Sequence, residues 1–352
     1  MSRRGKDGFQ QLGEIPLFKE LQAKVKPPTP IQRRIMEAAA FASENPDSPQ
    51  EILYQHSALC QTFLPYRDPG DDARTWERLN GTVHLKVLAG EAMHPVKGQF
   101  VPVGLPFGAK ARLVLMHINQ LALRAQSPEI EVENTLTRFV THGLGLGGSG
   151  GGRTIRTVKD QLARLSAASI RLGVVKDGRA VTVNSQIVSA FDIWLPKNEN
   201  QRVLWPSTLR LSLDYWESLQ THAVPLDEQH IAALSHSPMA LDVYAWLAQR
   251  LHRIPKGKPV PLSWPVLFQQ FGQSYSGEQA TKNFRHDFRK ALRSVLAVYQ
   301  AARIEDAPAK PARLAFKSGD RLPEWTSPPA EGLTLHHSPP PVKPRLVAVS
   351  ED

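Results

Sequence analysis

The sequence predicts an α+β chain, mostly helical. Three observations carry that prediction. Residues 278–299, EQATKNFRHDFRKALRSVLAVY, contain neither Pro nor Gly, and Phe284, Phe288, Leu292, Val295 and Tyr299 recur at three- and four-residue steps. Such spacing marks one buried face of a helix roughly 33 Å long. Residues 109–125 and 154–167 repeat the pattern, with Val114, Leu115, Ile118 and Leu121 on one inner face and Ile155, Val158, Leu162 and Leu165 on the other. Two alternating stretches, 169–175 and 180–188, flank Asp177-Gly178, a hairpin signal.

The elements follow in order. Residues 1–30 are polar and basic and end in KPPTP, a flexible basic arm closed by a stiff joint. Residues 31–42 form a short helix stopped by Asn45, Pro46 and Pro49. The apolar run 52–62 is expected to be helical, and 65–72 a loop. Residues 81–89 alternate as a strand and pair with a second strand at 99–103 through a turn at 94–98. The helix 109–125, a short strand at 129–132 and a helix at 135–144 lead through the glycine run 143–152 to the helix 154–167 and the hairpin.

Helix, strand, helix, helix and a two-strand hairpin is the order of a winged helix-turn-helix. The second half repeats it without repeating its residues. A helix spans 226–234 and another 239–251; a strand follows at 260–262 and a helix at 264–271, with Ser263 as cap and Pro265 in the first turn. The long helix 278–299 comes next, then strands at 301–305 and 332–336 joined by a long Pro-rich wing. The expected organisation is therefore tandem winged helix-turn-helix domains. The arm covers 1–30, the first domain with its N-terminal additions 31–220, the second 221–338, and a Pro-rich disordered tail 339–352.

The net charge of +10 is concentrated. Residues 278–303 hold six Lys or Arg against two acidic residues, and 153–179 hold seven against two, so nine of the ten excess charges fall in two windows. Lys282, Arg285, Arg289 and Arg293 share one face of the long helix, a self-repelling row that an external anion would relieve. The phosphate backbone of DNA has the matching charge and shape. The DNA-binding candidates are Arg153, Arg156, Lys159, Arg164, Arg171, Lys176 and Arg179 in the first unit, and Lys282, Arg285, Arg289, Lys290 and Arg293 in the second. Arginine forks suit guanine edges or phosphates, whereas Lys282 and Lys290 are point charges better suited to phosphate. Arg156 and Lys159 are the base-reading candidates of the first unit; Arg153, Arg164 and Arg171 face the DNA backbone. An amphipathic helix with a solvated basic face is the plainer alternative.

Other chemistries find little support. The glycine run 143–152 is followed by Arg153-Thr154 and lacks the Gly-Lys-Ser/Thr of a phosphate loop. Asp71, Asp72 and Glu77 converge on nothing that would make a metal site, and the lone Cys60 reads as a small apolar filler in a reducing compartment. A nicking enzyme with a Tyr nucleophile needs a His-apolar-His metal pair, and His336-His337 lacks that spacing. No apolar run approaches the 18 or so residues of a membrane span, and the first residues lack a signal's apolar core. A non-enzymatic, cytoplasmic protein is expected, with no cofactor, no metal and no membrane partner.

The segments HSALCQTFLPYRDP (56–69), GLPFGAKARLVLMHI (104–118), RTVKDQLARLSAASIRL (156–172), SPMALDVYAWLAQRLHRIP (237–255), LSWPVLFQQFG (262–272) and GLTLHHSPPPV (332–342) resemble the plasmid-encoded RepA-type replication initiators of bacteria, over about residues 50–342. The resemblance implies a protein that binds repeated sequences (iterons) in double-stranded plasmid origin DNA, opens the origin and recruits the host replicative helicase and host initiator protein. It also implies a possible homodimer. A winged-helix transcriptional repressor of its own gene needs the same groove contacts and is the competing function.

Overall fold

The computed structural model describes residues 27–44, 51–81, 83–94, 98–131, 138, 140–141, 151–176, 179–191, 208–307 and 331–342. The arm before residue 27, most of the glycine run, most of the helix expected at 135–144, the turn 177–178, the wing segment 308–330 and the tail beyond 342 lie outside the described residues.

In chain order the elements are α1 (Pro30–Glu44), β1 (Ile52–His56), β2 (Thr75–Asn80), β3 (Val83–Leu88), β4 (Glu91–His94), β5 (Gln99–Pro102), α2 (Gly108–Ala125), β6 (Glu129–Glu131), α3 (Gly151–Ala167), β7 (Ser169–Lys176), β8 (Arg179–Gln186), β9 (Val188–Phe191) and β10 (Thr208–Leu211). The second half runs α4 (Leu213–His222), β11 (Ala223–Asp227), α5 (Glu228–Leu234), α6 (Pro238–Arg250), β12 (Val260–Ser263), α7 (Trp264–Phe271), α8 (Ala280–Val298), β13 (Ile304–Ala307) and β14 (Gly332–Leu335).

The second half has the expected order. From α6 onward the chain reads helix, strand, helix, helix, strand, strand, and the last three strands close a sheet in the order β12-β14-β13. Ser263 stands at the α7 N-cap but makes no side-chain cap bond. The first turn is tied down by backbone instead, because Trp264 N donates to the Glu331 carbonyl at 3.0 Å. Gly332 makes that approach possible: a Cβ there would lie 1.9 Å from the Leu262 carbonyl oxygen.

The first half departs from expectation chiefly in how its strands form and pair. Residues 52–56 are a strand, not the start of a helix, and β1 pairs antiparallel with β11, Ile52 opposite Asp227 and His56 opposite Ala223. A partner 170 or so residues away overrides local propensity here. The strand expected at 81–89 does not pair with 99–103. β3 lies between β2 and β7, while β5 pairs with β4, His94 opposite Gln99. The 169–186 hairpin therefore does not stand alone but completes a four-stranded sheet, β2-β3-β7-β8. The helix expected at 226–234 begins at Glu228, where Asp227 accepts from the Gln229 and His230 amides as its cap. Residues 339–342, placed in the tail by the sequence, pack on the second half: Tyr299 Oη donates to the Pro339 carbonyl at 2.6 Å and Val342 is buried.

The two halves share one hydrophobic core. Phe63 of the first stacks on Phe271 of the second, ring centroids 4.7 Å apart. Helix α1 belongs to the first half by sequence yet packs on α5 and α8, where Gln300 donates to the Ala39 carbonyl. The lead helices α2 and α6 meet through a buried ion pair. Arg112 Nε and Nη2 each donate at 2.7 Å to the two carboxylate oxygens of Asp242, and the remaining donors reach the carbonyls of Leu64, Pro65 and Gly108. Arg112 is the fifth residue of α2 and Asp242 the fifth of α6, so the pair joins the first turns of the two helices.

Candidate nucleic-acid interface

Helix α8 is built to be half core and half cation. Phe284, Phe288, Leu292 and Val295 are buried, the first two packing edge-on against Trp264 at centroid distances of 6.4 and 5.9 Å. One turn round the helix, Lys282, Arg285, Arg289 and Arg293 line an open groove of about 590 Å³ together with Glu278, Thr281 and His286. The sequence-read cationic face is thus a single continuous surface.

Within that groove the four cations are held differently. Lys282 and Arg293 are exposed and have no carboxylate partner among the described residues. Arg289 forms a two-point pair with Asp306, Nε to Oδ2 at 2.7 Å and Nη2 to Oδ1 at 3.1 Å, and lies 4.8 Å over the Trp264 ring. The Asp306 hydrogen bond raises the Arg289 pKa above its ordinary value and fixes its charge. Arg285 donates from Nη1 to Glu331 at 3.0 Å, sits 5.6 Å over the same ring, and leaves Nε without a partner. Asp306 is on β13 and Glu331 immediately precedes β14, so both carboxylates stand at the root of the wing.

Lys290 does not join the groove. It lines a separate hollow of about 400 Å³ with Arg67, His236 and Ser294 at the start of α6.

In the first unit the candidates separate further. On α3, Val158, Leu162 and Leu165 are buried and Ile155 half-buried, which confirms the apolar stripe; Arg156 is exposed and Lys159 half-buried. Arg164 is turned inward, 14% exposed, with Nε 3.0 Å from Asp160, Nη1 donating to the Leu105 carbonyl at 3.2 Å, and its guanidinium 5.1 Å from the Phe107 ring. Gly104 leaves room for it, because a Cβ there would lie 2.3 Å from Nη1. Arg171 is exposed on β7 opposite Lys86 of β3, and Lys86 pairs with Glu77 of β2 at 2.6 Å. The side chains of Arg153, Lys176 and Arg179 lie outside the described residues, although the backbones of Lys176 and Arg179 pair at the tip of the β7–β8 hairpin.

Sequence reasoning missed Trp264, Asp306 and Glu331 as parts of the site. The signal for Trp264 was available in Ser-Trp-Pro at a helix start, since an aromatic residue there faces the next helix. Nothing in local sequence ties Asp306 or Glu331 to α8; the β13–β14 pairing does that.

Among the described residues no group of His, Cys, Asp and Glu is placed to hold a metal ion, and no helix is long and apolar enough to cross a membrane. The profile of the plasmid-encoded RepA protein family matches residues 105–265, from the approach to α2 to the first turn of α7, and stops short of α8. No curated protein matches the chain. Among solved structures, a selenomethionine form of domains 2 and 3 of RctB is similar at a TM-score of 0.44 and 10% identity, covering 67% of this chain and 83% of that one. A second structure of RctB domains 2-3 gives 0.43 and 10%, covering 70% and 83%.

Proposed function

From the premise that residues 105–265 carry the plasmid-encoded RepA signature, we propose that the chain is a plasmid replication initiator. It binds iterons in double-stranded origin DNA through two winged-helix units, promotes origin opening, and recruits the host helicase and host initiator protein. It acts by binding and not by catalysis, in the bacterial cytoplasm, with self-association into a homodimer as one of its states.

The observation that carries this reading is the groove along α8, where four cations line one open surface and two of them stand over an indole ring at 4.8 and 5.6 Å. The order α6, β12, α7, α8, β13, β14 supports a winged helix with α8 as the groove-entering helix and the β13–β14 hairpin as its wing. In the first unit Arg156 on α3 and Arg171 on β7 are exposed and available to DNA, with Lys159, Arg153, Lys176 and Arg179 as further candidates. Lys290 serves a phosphate outside the main groove. Arg164 contributes by holding the loop before α2 in place.

Footprinting on the DNA flanking the gene tests the proposal. Protection of two neighbouring major grooves in each repeat is the expected result, and no protected sequence at any salt concentration rejects it. Replacing Lys282 and Arg293 together by alanine should flatten the slope of log affinity against log salt by about 1.8, near 0.9 for each lost phosphate contact. A plasmid carrying only the origin and this gene should replicate in a suitable host. Repression of the gene without replication would favour the repressor reading.

A further inference from the structure

We infer that Asp306 and Glu331, at the root of the wing, are positioning residues that hold Arg289 and Arg285 for sequence reading and withhold them from random phosphate. This inference rests on α8 being the DNA-reading helix, as proposed above.

Two functions could be served by carboxylates beside a cationic groove. They could compete with DNA, lowering its affinity for every sequence alike. Or they could fix the arginines, so that the forks present unused donors in one orientation. The geometry separates these. A competitor need only be near, and a single oxygen suffices. Asp306 instead meets Arg289 at two points, through Nε at 2.7 Å and Nη2 at 3.1 Å, which leaves Nη1 and the second Nη2 hydrogen directed away from the pair. The guanidinium has a second contact in the Trp264 ring 4.8 Å away, and Trp264 is itself buried, 1% exposed and packed against Phe284 and Phe288. A planar fork held by a two-point pair on one edge and an aromatic face below is the arrangement for a directional contact with a base edge.

Arg285, one turn earlier, shares the indole but is held by a single carboxylate contact. It gives Nη1 to Glu331 at 3.0 Å and lies 5.6 Å over the same indole, but its Nε is buried, so only the remaining Nη hydrogens are left for a ligand. Lys282 and Arg293, at the two ends of the row, have no such anchors among the described residues. The face therefore divides into anchored arginines in the middle and loose cations at the ends. Loose cations suit phosphate, where charge matters more than direction.

The pair contributes little to stability, because Arg289 and Asp306 are 38% and 41% exposed. Asp306→Asn should therefore fold like the parent, and its effect should show in recognition. The full-length chain is first used to enrich a duplex from a randomised pool. Affinities for that duplex and for a scrambled duplex of equal length are then measured across a range of salt for the parent, Asp306→Asn, Asp306→Glu and Glu331→Gln. The ratio of selected to scrambled affinity should fall about 5- to 100-fold in Asp306→Asn, the discrimination of one good two-point base contact. Affinity for the scrambled duplex should rise, with a salt slope steeper by about 0.9 as the freed Arg289 takes a phosphate. Asp306→Glu should recover part of the ratio, and Glu331→Gln should lower it less than Asp306→Asn does.

Equal gains on both duplexes would show a competitor and overturn the inference, as would an unchanged ratio in both neutral variants. If the parent enriches no sequence, the DNA-reading role of α8 falls first and the inference goes with it.

Discussion

Removing the charge of Asp242 should weaken the whole molecule more than any surface change. Asp242 is fully enclosed and receives both carboxylate contacts of Arg112 at 2.7 Å, so Asp242→Asn leaves a guanidinium that is 2% exposed without its counter-charge. Burial raises the Asp242 pKa, and Arg112 opposes that rise by favouring the charged form. The three carbonyl bonds from Leu64, Pro65 and Gly108 still satisfy part of Arg112, but they carry no negative charge. Breaking one side of a buried pair costs about 3–5 kcal/mol, a large share of the ~5–15 kcal/mol that holds a typical protein folded. Urea unfolding followed by tryptophan fluorescence should show a midpoint shifted down with little change in slope. The decisive control is the double replacement Arg112→Met with Asp242→Leu. Exchange of a buried pair for apolar side chains is often neutral or stabilising, so this variant should recover most of the loss. If Asp242→Asn stays within about 1 kcal/mol of the parent, Arg112 and Asp242 do not form the clamp between α2 and α6.

Further outcomes follow from the same packing. Phe288 touches Trp264, Phe271 and Phe284 and is fully buried, so Phe288→Ala should cost about 3–5 kcal/mol, read as a lower unfolding midpoint. Arg164→Ala should lower Tm more than Arg156→Ala, whereas Arg156→Ala should lower DNA affinity; reversed effects would mean that α3 is turned round. His56 accepts the Ala58 amide at Nδ1 and bonds Ser218 through Nε2, and burial, with His222 nearby, lowers its pKa to about 4. Because the folded value lies below the unfolded 6.5 or so, the unfolded chain takes up the proton first. About 3 kcal/mol of stability is then present above pH 6.5 and lost as pH falls toward 4. The Tm of His56→Gln should depend less steeply on pH across that window than the parent's.

How much of this was legible in the sequence depended on the range of the interactions. Helices α2, α6 and α7 announce themselves through apolar periodicity and through Pro and Gly at their ends, and their observed bounds fall within a residue or so of those expected. The cationic row on α8 was readable for the same reason, since residues three and four apart must share a face. Strand β1 was not, because ILYQH is as apolar as a helix stretch and only its pairing with β11 decides the matter. The character of the cations also escaped. Arg164 and Arg156 look alike along α3, yet the space beside Gly104 and the ring of Phe107 draw Arg164 inward. The anchoring of Arg289 depends on Asp306, brought to α8 by the sheet and not by spacing.

The pairing of β1 with β11 also constrains how the protein is made. During synthesis Ile52–His56 leaves the ribosome long before its partner, for Ala223 follows its opposite residue His56 by 167 positions. At roughly 5–20 residues per second, the first strand waits on the order of 10–30 s with an open edge. A nascent chain that stalled before residue 223 would therefore present that edge to its neighbours, which makes premature termination in this gene a route to aggregation and not to a working fragment.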